Sequence, residues 1–187
     1  MIRALNLFLI SICMLVSGCA TTPGNTKTEK RQAVKKMSSD VLTQLYESHP
    51  EAKKEIRKSA GYAVFSNVSA NVIFVGVGGG YGVVIDNKKH SKTYMKMGEV
   101  GLGIGLGAKD FRAVFIFEDK ETMDYFIEKG WTFGGQADAA AKSGDKGKAI
   151  SGEVVVKKIK IYQITESGIS LQATVKGTKY WKDDELN

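Results

Sequence analysis

Apolar residues at Val34, Met37, Val41, Leu42 and Leu45 recur at steps of three and four, which predicts a helix over residues 31–48 with one apolar face. Pro50 suits the first position of a second helix over 51–59, and Gly61 marks its end. Past Gly61 the helical period is replaced by runs rich in Val, Ile, Phe and Tyr at 62–68, 72–85, 93–97, 100–108 and 111–117, which read as strands. The polar loop Asp86-Asn87-Lys88-Lys89 and the tight link Lys109-Asp110 predict antiparallel hairpins. Asp119 is placed to cap a short helix with Met123, Phe126 and Ile127 on one face, closed by Gly130, after which 131–133 re-enters the sheet. The stretch 134–149 is small and polar, with an Ala cluster suited to one or two helical turns. Strands follow at 154–157, 159–165 and 169–175, the last two joined by Glu166-Ser167-Gly168. In the last, Ile169, Leu171, Ala173 and Val175 alternate with polar residues, the pattern of one buried face. The fold class is α+β: an antiparallel, strongly curved, Gly-rich sheet, barrel-like closure being one form of that curvature, packed with N-terminal helices and one short internal helix.

The curvature rests on glycine. Gly76, Gly78, Gly80 and Gly82 fall two apart, as do Gly101, Gly103, Gly105 and Gly107, so each strand has one face without side chains. Glycine weakens a strand and marks a sharp bend or a close approach. Either a helix of the same domain lies on that floor or the sheet coils, or else the floor is a shallow groove for an acyl chain or headgroup. Phosphate cradling is disfavoured, because neither ladder completes GxGxxG and no GxxxxGK[ST] is present.

The amino terminus reads as an address. Arg3 precedes an apolar run over 4–16, about 20 Å long as a helix against a bilayer core of roughly 30 Å, too short to span it. A charged start, a short apolar stretch and small residues mark a secretory signal peptide. The run ends Val16-Ser17-Gly18-Cys19, which resembles the lipobox of bacterial lipoproteins. The resemblance implies cleavage of residues 1–18 and acylation of Cys19, with Ala20 in the following position pointing to the outer membrane, facing the periplasm. The alternatives are a plain secreted protein or an uncleaved anchor. Residues 19–30 lack large apolar side chains and carry Pro23-Gly24, the composition of a flexible tether, leaving 31–187 as the domain.

Composition narrows the chemistry. The 187 residues suit one domain, 43% of them hydrophobic, and 27 Lys+Arg against 20 Asp+Glu give a net charge of +7. That excess is too dispersed for a dedicated nucleic-acid arm. Two Cys and two His leave no structural zinc or iron-sulfur site, and after cleavage Cys13 is gone and no intramolecular disulfide is possible. Charge is concentrated at Lys53, Lys54, Arg57 and Lys58, a cationic face suited to anionic headgroups at about 1 kcal/mol per charge. The bland alternative is a solvated helix, with Glu51 and Glu55 three residues before Lys54 and Lys58 neutralising it internally.

Catalytic signatures are missing: there is no HExxH, GxSxG or CxxC, His49 and His90 have neighbours typical of exposed turns, and nothing places Asp86, Asp110 and Asp138 in one cleft. Neither enzyme activity, cofactor nor metal is expected.

Most of the chain from residue 35 onward resembles the SYLF domain family, in its bacterial lipoprotein branch. The resemblance rests on Ala60-Gly61-Tyr62-Ala63-Val64-Phe65 with Val68, on Gly78-Gly79-Gly80-Tyr81-Gly82-Val83, on the run from Gly101 to Gly107, and on Ala113-Val114-Phe115-Ile116-Phe117 with Phe126. Most specific are Gly130-Trp131-Thr132-Phe133-Gly134-Gly135-Gln136-Ala137-Asp138-Ala139-Ala140-Ala141 and the ending Gly177-Thr178-Lys179-Tyr180-Trp181-Lys182. Around 94–97 the chain lacks a Trp and a Pro that many relatives have. The resemblance implies a lipid-binding module, with residues 31–59 as its N-terminal segment; actin, linked to some eukaryotic relatives, is not an expected partner. The expected partner is an anionic phospholipid membrane, with docking of an envelope protein as the alternative and a lipid or cell-wall hydrolase as a third; no nucleic acid is expected.

Overall fold

The computed structural model describes residues 22–130, 132–133, 153–156, 158–165 and 176–187. Helix α1 is Lys27–Ser48, and it buries Val34, Ser38, Val41 and Leu45 along one face. It starts four residues before the helix expected from the sequence. The reason is a capping box: the Thr26 hydroxyl accepts the Glu29 N–H at 3.2 Å, and the Glu29 carboxylate accepts the N–H of Thr26 at 3.1 Å. Lys27 and Lys30 are therefore helical. Helix α2, Ala52–Lys58, buries Ala52 and Ile56 one turn apart.

The five runs predicted between 62 and 117 are two continuous strands of 26 residues each, β1 (Gly61–Asp86) and β2 (Lys92–Phe117). They pair antiparallel from Gly61↔Phe117 to Ile85↔Lys92, with one irregularity between Ile73 and Val75. Lys109 and Asp110 are not a link: they pair with Ser69 and Val68 inside the ladder. Neither is a Gly or Pro, and β1 offers backbone partners across them. The turn at Asp86 matches expectation, its carboxylate accepting the N–H groups of Lys88 and Lys89, each at 2.8 Å.

Strand β2 is the spine of the sheet. Its end, Phe111 to Phe117, pairs with β5 (Ile159–Thr165), and its start, Met95 to Gly101, pairs with β6 (Lys176–Lys182). Strand β3 (Thr132–Phe133) borders β6 and β4 (Glu153–Val156) borders β5, giving the order β3-β6-β2-β5-β4 with β1 off this path on β2. The six-stranded sheet is antiparallel and is not closed into a barrel, because β3 and β4 end the path at opposite sides without pairing. The predicted stretches 134–149 and 166–175 lie outside the described residues.

The two ends of β1 lie against each other. A methyl group at Gly80 would overlap the Ser66 carbonyl and approach Asn67, and one at Gly82 would overlap the Phe65 ring and the Val64 carbonyl. Between these ends sits the main core: Phe65, Phe115 and Phe117 from the first half of the hairpin, Met95 and Met97 from the second, Tyr180 from β6, and Phe126 from helix α3 (Lys120–Lys129). Phe65 and Phe115 meet edge to face at 5.7 Å. Asp119 caps α3 as expected, accepting the Thr122 N–H at 2.8 Å, and Gly130 closes it at φ 66°. The opposite sheet face carries Val64, Val114, Ile116 and Tyr162, covered by Val41 and Leu45 of α1 and Ala52 and Ile56 of α2.

Candidate functional site

Helix α2 has a sharp division of labour. Ala52 and Ile56 turn inward, so Lys53, Lys54, Arg57 and Lys58 all face solvent. Among the described residues neither Glu51 nor Glu55 forms an ion pair with these cations. Glu51 instead meets His49 Nδ1 at 2.9 Å, and its own backbone N–H, followed by His49, holds its carboxyl below the usual range. Glu55 turns toward β5: Lys160 donates to one carboxylate oxygen at 2.6 Å and the Tyr162 hydroxyl donates to the other at 2.8 Å. Burial, with the Glu55 bond adding to it, pushes the Tyr162 hydroxyl up to about 12. Among the described residues none of the four α2 cations has an ion-pair partner. Arg57 and Lys58 also stand in the last turn, where the helix dipole favours positive charge.

The β1–β2 turn extends this face. The Asn87 side-chain amide donates to the carbonyls of Ile56 at 2.6 Å and Ser59 at 3.1 Å, and the Asn87 N–H donates to Ala60 O at 3.1 Å. These bonds fix the turn against the C-terminal end of α2, with Lys88 and Lys89 exposed beside it. Sequence reasoning placed the two lysines in a loop and missed their neighbourhood. An Asn at a turn is the only signal the sequence offers, and it does not say which carbonyls that Asn will reach.

The glycine candidates divide differently. Gly80 and Gly82 are buried under the start of β1, so the surface pressed against them is strand and not a helix, and no open groove exists there. Gly78 is half-buried and pairs with Glu99; Gly101 pairs with Gly76 on one side and Lys176 on the other; Gly105 pairs with Ile73; and Gly103 falls opposite the irregular stretch Ile73 to Val75. Cys19 lies outside the described residues, three positions before Thr22, which is buried.

The carboxylates singled out in the sequence, Asp86 and Asp110, are not brought into one cleft among the described residues. Asp86 serves the turn, its carboxyl held below the usual range by the Lys89 N–H and then that of Lys88. Asp110 lies in the middle of the hairpin ladder, and Asp138 is outside the described residues. His90 is an exposed turn residue at φ 55°, while His49 packs its ring 5.3 Å from that of Tyr162. Within the same residues no three His, Cys, Asp or Glu converge as metal ligands, and no helix is long and apolar enough to cross a membrane.

No family model matches the chain. It is similar to Beta cell expansion factor A of Aeromonas veronii, 35% identical over 164 residues. The match takes in 86% of this chain and 60% of the length of that relative.

Proposed function

We propose that this is a lipid-anchored envelope protein, non-enzymatic, whose SYLF-like domain contacts anionic phospholipid through α2 and the adjoining turn. The observation that carries the reading is the freedom of Lys53, Lys54, Arg57 and Lys58 while both neighbouring glutamates are engaged elsewhere. Each such charge contributes about 1 kcal/mol near an anionic surface, so the four together are worth about 4 kcal/mol. Anchoring at Cys19 suits this face. Helix α1 has 22 residues and is about 33 Å long; Cys19 precedes it by eight positions in the sequence and α2 follows it. Both reach one bilayer if α1 lies along the surface.

We further infer that the sheet is sharply bent within its glycine-rich middle. Phe65 and Gly82 touch although they belong to one strand, and a straight strand would hold them roughly 56 Å apart. The bend makes the scaffold on which α2 is carried. The name of the Aeromonas relative states an effect on beta cells and no chemistry, and a lipid-contacting domain is compatible with it.

The test is co-sedimentation of the chain, with Cys19→Ala to remove the anchor, on vesicles of phosphatidylglycerol and phosphatidylethanolamine. Binding is expected to be salt-sensitive and to fall when Lys53, Lys54, Arg57 and Lys58 become Ala. Absence of binding at low salt would reject the reading and leave the domain as a docking module for an envelope protein.

A further inference from the structure

One apolar opening described in this molecule is not lined by the glycines. It is a trough of about 260 Å³ between α1 and the hairpin, walled by Val34, Leu42, Tyr62, Val83, Ile85 and Tyr94 together with two serines of α1. Leu42, Tyr62, Ile85 and Tyr94 are only half-buried, so the walls leave apolar surface in contact with water. A neighbouring part of the same apolar strip is already filled by an aliphatic side chain: Leu186 of the C-terminal tail is seated against Val34 and Val83 and is 1% exposed. Lys35 and Lys92 stand at the rim, both exposed and without an ion-pair partner among the described residues.

We propose that this trough binds one acyl chain, whose anionic head pairs with Lys35 and Lys92. The volume is under the roughly 300 Å³ at which small-molecule pockets begin, so it takes a single narrow chain and neither a ring system nor a second chain. Mostly apolar walls with two exposed cations in the lining match a linear amphiphile of negative charge. That chemistry is shared by a free fatty acid and by a phospholipid that presents one of its chains. The site is separate from the cationic face of α2, and the inference does not rest on it.

The experiment is calorimetric titration of the full chain, carrying Cys19→Ala so that no covalent acyl group competes. The ligands are laurate and a twelve-carbon lysophosphatidylglycerol, each below its micelle concentration. Saturable one-to-one binding of laurate alone assigns the free acid, and binding of both assigns the lipid; absence of saturable binding of either overturns the proposal. Leu42→Trp fills the trough and is expected to weaken binding at least tenfold, and unchanged affinity in a folded variant would also overturn it. Lys35→Glu with Lys92→Glu changes only exposed side chains, so it serves if Leu42→Trp does not fold. It should weaken laurate about tenfold and leave dodecanol unaffected, whereas equal weakening of both would remove the headgroup assignment. Leu42→Trp should retain vesicle binding, and the fourfold α2 variant should retain laurate, so the two sites fail separately.

Discussion

Helices α1 and α2 are both rich in lysine and arginine, and the fold treats their charges in opposite ways. In the first half of α1 the cations hold the carboxyl terminus: Lys27 donates to Asn187 O at 2.8 Å, Lys30 pairs with Glu185, and Arg31 donates to Leu186 O at 2.9 and 2.6 Å while lying 5.4 Å over the Tyr94 ring. Lys36 pairs with Asp40 one turn on. In α2 the acidic neighbours are drawn away by His49, Lys160 and Tyr162, and the cations remain in water. Basic residues are denser in α2, four in its seven residues against five in the 22 of α1, but density does not decide the outcome. What differs is where the partner carboxylates and carbonyls arrive in space, and this decides whether a basic helix is a structural clasp or a free surface.

The largest effect should come from α2. Replacing Lys53, Lys54, Arg57 and Lys58 by Ala is expected to weaken binding to anionic vesicles by about 4 kcal/mol, on the order of a thousandfold, while the urea unfolding midpoint moves little. A large loss of stability would show that these side chains are structural after all. The converse holds at the other helix. Leu186→Ala leaves a hole between Val34 and Val83 and is expected to cost about 3 kcal/mol in urea denaturation, with vesicle affinity unchanged in the folded protein. Arg31→Ala removes the donor to Leu186 O and should cost about 1–2 kcal/mol by the same measurement.

The sequence made much of this legible, and its failures have physical causes. Three-and-four spacing located α1, Pro50 and Gly61 bracketed α2, and Asp119 with Gly130 bracketed α3, because caps and periodicity are local signals. The pairing of β1 with β2 was legible from the polar turn at 86–89. Its unbroken length was not, since Lys109 and Asp110 look like a turn until the partner strand is known to continue opposite them. The first glycine ladder announced a close approach, and at Gly80 and Gly82 the surface that arrives is the start of β1 itself. At the candidate site the four cations could be named, whereas their freedom depended on Lys160 and Tyr162, more than a hundred residues beyond Glu55. The tail was missed because Leu186 is a single apolar residue among polar ones, without a period to announce its burial.

The smallest expected effects concern how the two helices begin. Helix α1 has a capping box at Thr26 and Glu29, whereas α2 starts at Glu51 without a side-chain cap. Thr26→Ala should therefore cost about 1 kcal/mol in urea denaturation, and Glu51→Ala less. The pH dependence of α1 follows from Glu29. The backbone N–H of Asn25, then that of Thr26, holds its carboxyl below the ordinary 4.5 in the folded state. A depressed carboxyl stabilises the fold fully above its unfolded value, and that contribution is lost as pH falls through the folded one. The unfolding midpoint of the wild type should exceed that of Glu29→Gln above about pH 4.5, and the two should converge on acidification. A gap that persists or widens below that range would mean that the carboxylate is not what stabilises the start of α1.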